Sequence, residues 1–98
     1  MSRLASASIA AQNTFTDAVR LGGNFNVSIQ GTFSATVFVQ RSYDNSTWYD
    51  VESFTAATEQ IGFEPEYIWY RVGVKTGGYT SGTVVARIGQ ADQNLTRN

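Results

Sequence analysis

Cysteine and histidine are both absent from these 98 residues, and proline occurs once. Without cysteine there is no disulfide framework, no thiolate nucleophile and no cysteine metal site. Without histidine the commonest general base, the usual zinc ligand and every Ser-His or Cys-His catalytic arrangement are excluded. Charge is sparse as well: seven Lys and Arg stand against eight Asp and Glu, for a formal net charge of -1. That balance gives no global attraction to nucleic acid or anionic lipid. Long apolar runs are missing too, and no stretch approaches the ~20 residues of a membrane span. The opening MSRLASASIAAQ lacks the apolar run of a signal peptide, so the chain is expected to be soluble and unprocessed.

What remains is apolar, aromatic and rich in turn formers. Hydrophobic residues make up 42%, and two Trp, five Tyr and six Phe are spread among nine glycines. This is too apolar for a disordered chain, and its length suits one domain. The apolar residues recur with period two rather than 3.6. In 24–30, Phe25, Val27 and Ile29 alternate with Asn24, Asn26, Ser28 and Gln30. In 35–43, Val37 and Val39 share a face, which leaves Phe38 on the outer one. In 67–75, Ile68, Tyr70, Val72 and Val74 alternate with Tyr67, Trp69, Arg71, Gly73 and Lys75. The return strand at 82–89 turns Val84, Ala86 and Ile88 inward.

Gly22-Gly23, Asp44-Asn45-Ser46, 56–58 and Gly77-Gly78 read as turns or breaks, and a short strand at 59–63 is expected to end before Pro65. The spacing predicts an all-β fold: a single antiparallel β-sandwich of seven or eight short strands, immunoglobulin-like or jelly-roll in order. Residues 1–13 form a flexible or strand-forming arm, anchored by Ile9 if a strand. Residues 14–90 form the sandwich, and 91–98 a polar tail.

Signals for chemistry are few. Asp50 and Glu52, and Glu64 and Glu66 across Pro65, are carboxylate pairs of the kind an acid/base mechanism uses. Their plainer reading is solvated strand edges, where charge discourages edge-to-edge pairing. Calcium through Asp44, Asp50 or Glu52 would need oxygen ligands alone, but no calcium-loop spacing is present. The sequons Asn26-Val27-Ser28, Asn45-Ser46-Thr47 and Asn94-Leu95-Thr96 are what a Ser/Thr-rich chain produces by accident. There is no phosphate loop, dinucleotide fingerprint or basic cluster. Neither an enzyme nor a nucleic-acid binder is expected, and no cofactor or metal is implied.

The segment SYDNSTW, 42–48, comes close to the Asp-box pattern S-x-D-x-G-x-T-W, one residue short and without its glycine. In such a hairpin the Asp ties the turn backbone and the Trp packs beneath it. Asp44 is therefore assigned to the turn and Trp48 to the core.

Two stretches carry a resemblance. ATVFVQRSYDNSTWYDV, 35–51, resembles the strand-turn-strand unit of small β-sandwich virion proteins of tailed bacteriophages. YRVGVKTGGYTSGTVVARIGQ, 70–90, resembles the closing hairpin of the same proteins, in the same order. The resemblance implies a structural protein of the virion: a capsid decoration (cement) protein, a head fibre or a tail component, with no catalytic residues to transfer. It further implies localisation on the phage head surface after synthesis in the host cytoplasm.

Two functions of different class follow. In the first, the protein binds the major capsid protein and copies of itself as a homo-oligomer, a trimer matching threefold lattice positions. Phe38, Tyr67 and Trp69 are then the candidate interface residues, Arg71 is a polar anchor, and the N-terminal arm orders on contact. In the second, a carbohydrate-binding module stacks sugars on Tyr67, Trp69 or Tyr79.

Overall fold

The computed structural model describes residues 3–90. Nine strands form among them and no helix, so no described helix is long and apolar enough to cross a membrane. The strands are β1 (Arg3–Ile9), β2 (Thr14–Phe15), β3 (Val19–Gln30), β4 (Phe33–Ala35), β5 (Val37–Ser42), β6 (Tyr49–Phe54), β7 (Thr58–Val74), β8 (Tyr79–Gly82) and β9 (Val84–Gln90). All pairings are antiparallel. The main sheet runs β1-β9-β3-β7-β5-β6, with β2 also on β7, and β4-β8 form a separate ribbon.

Two of the strands are not short. Gly22-Gly23 was expected to turn the chain and Pro65 to end a strand, yet both lie inside long strands of 12 and 17 residues. The register explains it. Leu21 faces Ile68 and Gly23 faces Glu64, so Gly22 alone stands opposite Pro65, Glu66 and Tyr67. Proline lacks an N–H and is tolerated in a sheet where the ladder is interrupted, as at this bulge. Gly23, at φ 81°, supplies the left-handed residue that lets β3 follow the irregularity.

The bulge folds the sheet on itself. Val19 pairs with Tyr70, and Phe25 lies six residues further along β3, roughly 20 Å away on a straight strand. Yet the rings of Phe25 and Tyr70 meet at 4.8 Å between centroids. The long strands must therefore bend at the bulge, bringing the β1-β9-β3 end over the β7-β5 end. Strands that turn corners at bulges are one way to enclose a core between two layers, and the arrangement is compatible with a β-sandwich.

The core is the inward set of the alternating strands: Val27 and Ile29 of β3, Val37 and Val39 of β5, Ile68, Tyr70, Val72 and Val74 of β7, and Val84 and Ile88 of β9 are buried. Ile9 is also fully buried, and β1 pairs along its whole length with β9. Residues 3–9 are thus an edge strand, the strand-forming alternative for the arm. The polar tail 91–98 and the sequon at Asn94 lie outside the described residues.

Candidate functional site

The outward positions of β7 carry Tyr67, Trp69 and Arg71, because period two puts them opposite the core set, and Lys75 follows directly after the strand. Phe38 joins them, since β5 pairs Phe38 with Gly73. The four residues read from sequence as an interface thus share one face. Cations already cover much of it. Arg20 lies 4.6 Å from the Tyr67 ring and 5.7 Å from that of Trp69, and Arg3 lies 5.1 Å from Tyr67. The Arg3 Nε donates to the Tyr67 hydroxyl, and the Arg20 Nε to the Tyr67 carbonyl oxygen, both at 3.0 Å. Lys75 sits 4.3 Å from the Phe38 ring and donates to Asp50 at 2.8 Å.

Arg71 is held most closely. Its guanidinium lies 4.0 Å from the Phe15 ring and 4.4 Å from the Trp48 ring. Trp48 is therefore half-buried on the outer face and not in the core. The hairpin ends beside β7 at the level of Arg71, and an indole gains a cation–π contact there that the apolar interior cannot offer. Phe15 was not foreseen as part of the site, because its contact depends on β2 crossing β7 at Gly73.

The turn beneath holds Asp44 tightly. Its Oδ1 accepts from the Ser46 and Thr47 amides at 2.9 and 2.8 Å and from the Ser42 hydroxyl at 2.9 Å. The Thr47 and Ser46 amides, then Ser42, hold its carboxyl below the usual range. Asn45, which with Ser46 stands where the Asp-box has its glycine, takes φ 59°, a conformation asparagine tolerates.

The carboxylate pair across Pro65 is not a solvated edge on both sides. Glu66 is exposed, but Glu64 is 2% exposed and turned inward. Its Oε1 accepts from Arg41 Nε at 3.0 Å, Arg41 Nη2 at 2.7 Å and the Tyr70 hydroxyl at 2.7 Å, and its Oε2 from the Glu66 amide at 2.9 Å. Burial pushes the carboxyl up, but donors from Tyr70, Glu66 and Arg41 outweigh it and hold the acid below its ordinary value. Burial likewise lifts the Tyr70 hydroxyl well above its ordinary value, helped by the adjacent Glu64 charge. This cluster is fully satisfied and half enclosed by Arg41, which makes it a brace between strands. Asp50 and Glu52 remain exposed, with Val51 between them as an extra residue in the β5-β6 register.

The consequence of turning Glu64 inward is that its neighbours turn outward. Ile61 is 84% exposed and Phe63 66%, the most exposed large apolar residues of the described chain. Ile61 also borders a small opening of about 80 Å³ with Val51 and Phe54 at its rim and Phe25, Val27 and Val39 behind. The ordinary hydropathy of QIGFE favours burying Ile61 and Phe63 over Glu64, and the structure does the reverse. No family model, curated protein or solved structure matches the chain.

Proposed function

We propose that this chain is a non-enzymatic structural protein of a tailed-phage virion, a decoration or cement protein that binds the major capsid protein and copies of itself on the head surface. It acts by occupancy, tying neighbouring subunits together. The observation that carries the reading is the inverted pattern at 61–64, where Ile61 and Phe63 face solvent while Glu64 is enclosed. A strand that leaves two large apolar residues in water gains little from them in the monomer, and gains on docking. Burial is worth roughly 25 cal/mol per Å² of apolar area before ordering costs. The cation-covered rings of Tyr67, Trp69 and Phe38 offer a second, more polar contact surface, in keeping with the enrichment of aromatics and Arg at interfaces.

The competing glycan reading has less in its favour. Sugar stacking needs open ring faces, whereas Arg20 lies over both Tyr67 and Trp69, and the Tyr79 hydroxyl donates to the Gly82 carbonyl oxygen. The test mixes purified protein with capsids lacking it, and measures bound copies and capsid melting temperature. Stoichiometric binding with a raised melting temperature is expected. The paired change Ile61→Ser and Phe63→Ser should weaken it about tenfold or more while leaving the free protein folded, since exposed positions contribute little to stability. No capsid binding, with a monomer that retains glycans on an array, overturns the proposal.

A further inference from the structure

Among the described residues Arg71 is a half-buried cation without an acidic partner. By contrast Arg41, which pairs with inward-facing Tyr70, has Glu64, and Lys75 has Asp50. The only hydrogen bond the Arg71 side chain makes among the described residues is from Nε to the Gln40 Oε1, at 2.8 Å. Gln40 is itself buried and fixed, because its Nε2 donates to the Asp50 Oδ1 at 2.9 Å. Phe15 and Trp48 both pack against the guanidinium. The side chain is thus fixed at Nε and by two rings, while its two Nη nitrogens, with four N–H donors, have no acceptor among the described residues. Those atoms are not sealed off, since no buried side-chain nitrogen or oxygen of the described residues lacks a partner. Arg71 lines a surface hollow of about 340 Å³ with Asn13, Phe15, Gln40, Lys75 and Thr76.

We infer that this hollow is a carboxylate-binding site, in which the free Nη edge of Arg71 takes both oxygens of one carboxylate and Lys75 lies alongside. The planar fork matches a carboxylate in two parallel hydrogen bonds, and a fork already fixed by Gln40 and two rings loses little freedom on binding. Charge selects the class of anion. Arg71 and Lys75 are positive and Asp50, bonded to both Lys75 and Gln40, is negative, so the site carries one net positive charge and suits a monoanion. A phosphate dianion would meet Asp50. Burial also pulls the Arg71 pKa down, and an incoming carboxylate relieves that penalty.

The inference deepens the docking proposal by naming the chemistry on the partner: an Asp or Glu side chain. Its test needs no capsid, so the two ideas fail separately. Uniformly 15N-labelled protein is titrated at constant ionic strength with sodium acetate, with N-acetyl-glutamate amide (a single side-chain carboxylate), with inorganic phosphate and with sodium chloride. The Arg71 Nε–H and Trp48 indole N–H resonances are followed. Saturable shifts with acetate and with the capped glutamate, not reproduced by chloride, are expected. Arg71→Lys should lower the apparent affinity at the Trp48 resonance about tenfold, since lysine keeps the charge but not the fork. If that variant unfolds, the unmodified protein's Arg71 and Trp48 shifts decide alone. Shifts shared equally with chloride overturn the site, phosphate binding tighter than acetate overturns the charge argument, and acetate binding without capped glutamate overturns the side-chain assignment.

Discussion

The Tyr70 hydroxyl donates to the Glu64 carboxylate at 2.7 Å, although the two residues lie six apart on one strand. A straight strand would separate them by roughly 20 Å. The bond therefore exists only because β7 bends at the bulge opposite Gly22, and it closes the bend from inside. Tyr70→Phe keeps the ring on Phe25 but removes one donor from a buried charge. The expected loss is about 1–3 kcal/mol in denaturant unfolding, with an unchanged far-UV spectrum.

The same carboxylate sets a pH dependence. Glu64 has a folded pKa below its unfolded value, so the stability it contributes is fully present above roughly pH 4.3 and is lost as pH falls through the depressed folded value. Asp50, held down by Lys75 and Gln40, adds in the same direction. Melting temperature should therefore fall below about pH 4, and Glu64→Gln should start lower at neutral pH but decline less steeply. A steeper acid slope in Glu64→Gln would contradict the assignment.

Gly73 permits the crossing of β2. A Cβ built there would stand 2.3 Å from the Thr14 carbonyl oxygen and 2.5 Å from the Phe15 Cα, both backbone atoms that cannot move aside cheaply. Gly73→Ala should cost about 1–3 kcal/mol or more. It should also release Phe15 from Arg71 and remove hydrogen-exchange protection from the Thr16 amide, which donates to the Val72 carbonyl oxygen at 2.8 Å.

Val72 is fully buried at the centre of the inward set. Val72→Ala should cost on the order of 2 kcal/mol through lost burial and a cavity. A change under about 0.5 kcal/mol in denaturant unfolding would not fit a closed core.

Asp44 spends its carboxylate on the turn between β5 and β6. Asp44→Ala should lower the melting temperature and leave capsid binding intact. Lost binding with unchanged melting would place Asp44 in the interface instead.

The sequence by itself determined the fold class and most of the core. Period-two alternation in 24–30, 35–43, 67–75 and 82–89 needs no long-range information, because a strand segregates its side chains wherever it lies. The same arithmetic placed Tyr67, Trp69, Arg71 and Phe38 on the outer face, and the Asp44 turn was legible because its bonds span only a few residues. Only the tertiary structure decided which face of 59–64 turns inward. Alternation is symmetric between faces, and burying Glu64 rather than Phe63 depends on Arg41 and Tyr70 arriving from β5 and from beyond the bulge. The bulge at Pro65 is likewise a property of a pairing, since a proline that stops an isolated strand is accommodated where its partner contributes one residue against three. The packing of Phe15 and Trp48 on Arg71 joins residues that lie 56 and 23 positions from it in the chain, and geometry of that kind comes from strand register.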